Sequence, residues 1–220
     1  MEYSQLLRAQ YWCYLHRSTF SPTMRPLPFV WPYALVFWAI YIWAFAPEWR
    51  VVQGGIEGAR RAESKDSGSM RVLLGGMWVA LLVAFALAFE KAWAFPARLQ
   101  VPLFAVGISL ILLGSLLRRY RFRTLGQYFT GDVRARHDQP VITSGPYRLV
   151  RHPSYTAGIM MFIGIGLALG SWLSAALVTV AAIATYTYRV TVEERALLET
   201  IGEPYGTYMK DRKRFIPYIV

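Results

Sequence analysis

Five stretches of this sequence carry no charged residue: 29–46, 72–89, 101–117, 155–169 and 172–188. Nothing else limits the possible folds as tightly. Crossing a hydrocarbon core of about 30 Å takes roughly 20 apolar residues, with about 17 at the lower end. Four of the runs reach or approach that length. The fourth is shorter and covers about 22 Å at 1.5 Å per residue. It carries Gly158, Gly164 and Gly166, and small residues let helix backbones approach closely inside a membrane. The expected fold is therefore an all-α integral membrane protein of about five transmembrane helices. Helices 4 and 5 form a tight hairpin, fully spanning or partly re-entrant.

The runs divide the chain. Residues 1–28 mix aromatics, leucines and arginines, as an N-terminal arm or interfacial helix would. Residues 29–117 hold helices 1–3. The first run contains three tryptophans and two tyrosines, which suits aromatic belts at both membrane faces. Residues 118–220 hold a long basic segment, helices 4 and 5 and a charged C-terminal helix. They form the expected catalytic region.

Charge sets the orientation. Of the 24 Lys and Arg residues, 19 fall in the loop after run one, the segment after run three and the C-terminal tail. Lys and Arg concentrate on the cytoplasmic side of membrane proteins. The N-terminus is thus expected outside and the C-terminus in the cytoplasm, with the basic segment and the tail on one cytoplasmic face. The net charge of +11 would also suit a nucleic-acid binder, but the basic residues lie on loops between spans. No nucleic-acid partner is expected. Charged residues make up 17% of the chain, against about 25% in soluble domains.

Several chemistries find no support. Cys13 is the single cysteine, so no internal disulfide or cysteine metal cluster can form. It lies far from the C-terminus, which leaves the chain no prenylation box of its own. His16, His137 and His152 are scattered, and no metal is expected. There is no signal-peptide pattern, no GxGxxG and no P-loop.

Three polar patches remain. They are LGQYFTGDV (Leu125 to Val133), PVITSGPYRLVRHPSY (Pro140 to Tyr155) and the stretch from Tyr188 to Pro217. In the second, Gly145-Pro146 marks a turn. Pro153 suits the first turn of a helix, which puts His152 at the N-terminus of helix 4. Such a terminus attracts carboxylates. Arg148 and Arg151 are explained by the positive-inside bias alone. In the third patch, Arg189 and Glu193 share a helix face four residues apart. The helix-stabilising order is Glu before Arg, and here it is reversed. Charges at the mouth of a membrane hairpin are functional candidates.

These residues resemble the isoprenylcysteine carboxyl methyltransferase family and the wider group of integral-membrane methyltransferases, which includes phospholipid methyltransferases. The likeness rests on ITSGPYRLVRHPSYTAG at Ile142 to Gly158 and on Arg189 with Glu193-Glu194. It also rests on Gly202, Tyr205, Tyr208 and the closing Arg214-Phe215-Ile216-Pro217. Leu125-Gly126 and Phe129 fit as well. It covers about residues 100–217, and the N-terminal half matches only as generic spans.

The resemblance implies S-adenosylmethionine as methyl donor and S-adenosylhomocysteine as product, bound in a cytoplasmic pocket. Tyr147, His152 and Tyr155 would line that pocket, with Pro153 and Ser154 shaping it. A strand-like Val141-Ile142 would offer backbone groups to the adenosine part. Glu193 would pair with the donor's ammonium. Arg189 would be the catalytic and substrate-binding residue, holding the acceptor's carboxylate. Gln139-Pro140 departs from the family pattern, and Pro140 has no N–H to donate.

A lipophilic acceptor fits this site, most simply a carboxylate such as a prenylated cysteine C-terminus. Methyl transfer from a sulfonium to a carboxylate cancels charge and needs no base, which suits a dry pocket. A phospholipid amine or a small-molecule amine or thiol is the alternative acceptor. A non-catalytic protein that binds anionic lipid through its arginine-rich face is the alternative class. A transporter is disfavoured by the uncharged spans, Glu90 being the nearest candidate.

Overall fold

In a computed structural model the described residues are 25–59, 68–125 and 140–217. They contain six α-helices: α1 (Tyr33–Ala59), α2 (Ser69–Leu87), α3 (Ala97–Leu125), α4 (Pro153–Ala168), α5 (Trp172–Ile201) and α6 (Glu203–Asp211). Short 3-10 turns lie at Leu27–Phe29, Lys91–Trp93 and Gly145–Arg148. Isolated bridges join Ala94 to Ser171 and Val150 to Lys213. No strand forms among the described residues, so the all-helical expectation holds.

Three helices, α2, α3 and α5, are long and apolar enough to cross a membrane. Two shorter apolar helical stretches, Tyr33–Ala46 and Pro153–Ala168, accompany them. The protein is thus of the integral membrane class. Its outer surface agrees: Trp78, Val79, Leu82 and Val180 are each at least 60% exposed, as side chains that meet lipid rather than water would be. Phe37, Ala84, Ile111, Met161, Ile165, Val178 and Ala182 fill the interior.

The helices outrun the apolar stretches that announced them. α3 continues through Arg118, Arg119, Arg121 and Arg123 to Leu125. α5 continues past Tyr188 to Ile201. Arg189, Glu193 and Glu194 therefore lie on one helix continuous with the apolar run, as the four-residue spacing of Arg189 and Glu193 predicts. Hydrophobicity reports where lipid must be met. Helix propensity is a separate property, and Leu, Arg and Glu all favour continuation.

α4 lies beneath α3 and beside α5. Gly164, expected to serve the helix 4–helix 5 hairpin, faces α3 instead: a Cβ there would meet the Gly107 carbonyl at 2.5 Å and Ile111. Gly158 and Gly166 do face α5, against Tyr186 and against Ala175 and Val178. Ser174 ties α5 to α2 by donating to the Ala84 carbonyl at 2.7 Å.

Lengths place the site. At 1.5 Å per residue α4 spans about 24 Å, whereas α3 and α5 reach about 44 Å. The N-terminus of α4 is thus recessed between longer neighbours. Segment 140–152, α6 and the stretch 212–217 gather over that recess.

Candidate functional site

Two adjacent glutamates on α5 organise this end of the molecule, and they do different things. Successive residues on a helix point about 100° apart. Glu194 turns inward and is 3% exposed. Its Oε1 accepts from His152 Nε2 at 3.1 Å, which makes that ring nitrogen the protonated one. Its Oε2 accepts from Arg214 at 2.7 Å and 3.0 Å. Arg151 Nε lies 3.0 Å from Oε1, off the axis a hydrogen bond needs, and adds charge rather than a directed bond.

Around that carboxylate the backbone is stapled. Arg151 N–H donates to the Lys213 carbonyl at 2.8 Å and His152 N–H to the Arg214 carbonyl at 3.1 Å. The Arg151 side chain donates to the carbonyls of Met209 and Arg212 at 2.6 Å and 2.9 Å. Thr156 Oγ1 donates to the Phe215 carbonyl at 2.8 Å. The Arg-His-Pro-Ser-Tyr segment and the closing Arg-Phe-Ile-Pro segment are thus one unit. Arg151, assigned to the positive-inside bias alone, is instead a buried strut.

Glu193 faces the other way. Tyr155 donates its hydroxyl to Glu193 Oε2 at 2.5 Å. The same hydroxyl is within hydrogen-bonding reach of Arg189. Arg189 is 3% exposed and donates from Nη1 to Ser69 Oγ, at the start of α2, at 2.7 Å. One phenol thus joins an anion and a cation. Its ring stacks on His152, with centroids 5.6 Å apart and planes at 19°, and leans on Tyr186 at 5.2 Å.

Tyr147 approaches from the 3-10 turn. Arg121 hydrogen-bonds it, and Tyr208 donates to its carbonyl at 2.7 Å. Burial pushes the Tyr147 phenol well above its ordinary value; Arg121 opposes that shift and the charge of Glu193 adds to it. Tyr205 is raised in the same way, by burial first and by Glu193 and Glu194 after it. Tyr208 is pushed up to about 12 by burial. It stays protonated and keeps donating at neutral pH. Three tyrosines, Tyr147, Tyr155 and Tyr205, therefore feel the Glu193 carboxylate.

The structure brings together Tyr147, His152, Tyr155, Arg189 and Glu193. Pro153, fully buried, starts α4, and His152 is its N-cap residue. Ser154 is buried beside it. Val141 and Ile142 lie in irregular, half-buried backbone ahead of the turn. They are not strand-like, because an all-helical neighbourhood offers no ladder partner. Residues 126–139, with Gly126, Phe129 and His137, lie outside the described residues, as do 1–24. Sequence reasoning assigned no role to Glu194, Arg151, Arg214, Tyr208 or Ser69. All but Ser69 lay inside the quoted motif; Ser69 had no signal of its own. Among the described residues no group of three or more His, Cys, Asp and Glu could hold a metal ion.

Comparison with known proteins gives a consistent neighbourhood. The family model for phospholipid methyltransferase matches residues 102–203. The protein-S-isoprenylcysteine O-methyltransferase of Schizosaccharomyces pombe is 30% identical over 158 residues, covering 64% of this chain and 67% of that one. Protein-S-isoprenylcysteine O-methyltransferase B of Arabidopsis thaliana is 28% identical over 115 residues, covering 51% of this chain and 58% of its own. A solved structure of the eukaryotic intramembrane Ras methyltransferase, isoprenylcysteine carboxyl methyltransferase, superposes with a TM-score of 0.51 at 25% identity. It covers 70% of this chain and 53% of that chain. The chain thus spans between half and two thirds of the length of these relatives.

Proposed function

Because this chain belongs to the isoprenylcysteine carboxyl methyltransferase family, we propose that it is a membrane methyltransferase that moves a methyl group from S-adenosylmethionine to the carboxylate of a lipophilic acceptor. A prenylated cysteine C-terminus is the acceptor of choice. The observation that carries the reading is the Tyr155 hydroxyl held between Glu193 and Arg189 at the recessed head of α4.

S-adenosylmethionine, when bound, supplies a methyl group on a sulfonium. The residues fit such a donor. Glu193 offers a carboxylate to its ammonium, and aromatic faces at Tyr147, Tyr155 and Tyr205 suit a cationic ligand. Val141, Ile142, His152, Pro153 and Ser154 shape the same wall. Arg189 holds the acceptor's carboxylate; its planar fork suits a carboxylate better than a lysine would.

The transfer forms a carbon–oxygen bond and breaks a carbon–sulfur bond whose electron pair stays on sulfur. No proton moves, so no general base is required. Burial excludes the water that would stabilise the separated charges. Holding both reactants in line is worth on the order of 7–11 kcal/mol. The membrane brings the acceptor and the cytoplasm the donor, and the recess meets both.

The match to the phospholipid methyltransferase family favours a phospholipid amine as the second acceptor. One experiment separates the readings: detergent-purified protein with radiolabelled S-adenosylmethionine, offered a prenylcysteine, a phosphatidylethanolamine and a small thiol. Label in a base-labile ester of the prenylcysteine is the expected result. Label on the amine selects the second reading. No donor binding across micromolar to millimolar concentration ends the methyltransferase reading and leaves an anionic-lipid binder.

A further inference from the structure

We propose that Ser69 is a positioning residue that aims the Arg189 guanidinium at the acceptor carboxylate. The proposal rests on the acceptor role given to Arg189 above. Ser69 is the first residue of α2 and is fully buried. Its hydroxyl accepts from Arg189 Nη1 at 2.7 Å across 120 residues of sequence. Gly68 before it has φ +77, a left-handed turn that a glycine adopts without strain.

A guanidinium held at one point can still swing about its long side chain. Anchors on different helices constrain its plane, among them Ser69 on α2 and the Tyr155 hydroxyl on α4. Bidentate carboxylate recognition depends on that plane. The Ser69 hydroxyl is neutral, so it orients the cation without cancelling the charge the acceptor needs. A carboxylate in its place would form a closed ion pair and leave Arg189 little attraction for an anionic acceptor. Ser69 also makes the end of the α1–α2 connection part of the site, so acceptor recognition draws on both halves of the chain.

The test is calorimetry on the full chain in detergent with no donor present. The probe is N-acetyl-S-farnesylcysteine, and its C-terminal amide serves as the neutral twin. Ser69→Ala should weaken the carboxylate about tenfold, a lost charge-assisted hydrogen bond, and leave the amide within about twofold. Ser69→Thr, which keeps the hydroxyl, should restore carboxylate binding. S-adenosylhomocysteine affinity should stay within about twofold in both variants. Equal losses for carboxylate, amide and S-adenosylhomocysteine would make Ser69 a packing residue and overturn the proposal. So would unchanged carboxylate binding in Ser69→Ala beside a clear loss in Arg189→Ala. An Arg189→Ala variant that still prefers the carboxylate would instead remove the acceptor role of Arg189, and the positioning role with it.

Discussion

Glu193 and Glu194 are chemically identical neighbours, and their surroundings give them opposite fates. Glu194 is closed in by Arg151, His152 and Arg214. Replacing it with Gln leaves the largely buried Arg151 and the half-buried Arg214 without their anion, and breaking a buried pair costs up to about 3–5 kcal/mol. Glu194→Gln should therefore lower the thermal unfolding midpoint in detergent sharply and depress expression. Glu193 has a single phenol on one oxygen and is half-buried. Glu193→Gln should leave the midpoint nearly unchanged and weaken S-adenosylmethionine binding roughly ten- to a hundredfold, since a hydrogen bond to a charged group is worth about 1.5–3 kcal/mol. Calorimetry and a melting curve on each variant decide the matter. Equal stability losses would sink the division of labour. The sequence made the pair conspicuous but could not rank it, because a 100° rotation between neighbours has meaning only once the partners are placed. Arg151 was illegible for the same reason. A loop arginine that obeys the positive-inside bias and a buried strut look alike until the tail folds back over it.

Among the elements, α3 does more than its apolar run foretold. Pro47 lies within α1 and has no N–H, so the Trp43 carbonyl four residues earlier loses its helical partner. Arg119 on α3 supplies one, donating to that carbonyl at 2.8 Å with its guanidinium 4.2 Å from the Trp43 ring centroid. Ser115 donates to the neighbouring Ala44 carbonyl at 3.4 Å. Arg119→Ala should cost about 1–3 kcal/mol by stranding an acceptor, seen as an earlier unfolding transition, while Arg119→Lys should recover part of it. An unchanged transition in Arg119→Ala would mean that the carbonyl finds another donor. On its other side α3 meets α4 glycine to glycine. Gly164→Ala would drive a methyl into the Gly107 carbonyl, where backbone cannot yield, and overpacking of this kind costs about 1–3 kcal/mol. The glycines were visible in the sequence as a signal of close packing. Which helix they would face was not, because a small residue names no partner. Helix ends were hidden too: apolar runs reported the lipid contact and were silent on the charged continuations that carry Arg121 and Arg189.

For the whole molecule, the charge carried at its two ends predicts which way the bundle faces. One end gathers Arg118, Arg121, Arg148, Arg151, Arg189 and Arg214 around the recess; the other carries Lys91, Trp93, Gly170 and Trp172, with Phe95 N–H bonded to the Gly170 carbonyl at 2.9 Å. The basic end should face the cytoplasm by the positive-inside bias, and the donor proposed above, if drawn from the cytoplasm, needs that orientation. Cys13 is the single native cysteine, so a Cys13→Ser background accepts single reporters. Arg148 and Lys213 are exposed on the basic end and Lys91 on the other. In intact cells a membrane-impermeant maleimide should label Lys91→Cys and spare Arg148→Cys and Lys213→Cys. In inverted vesicles the pattern should reverse. Positions 148 and 213 must behave alike, because the Val150–Lys213 bridge joins their segments on one face. If they label from opposite sides, the loop and the tail cannot share a site, and the donor wall assembled from both must be abandoned. If all three report the inverse orientation, the fold stands but the site opens away from the cytoplasm, and a cytosolic donor could not reach it.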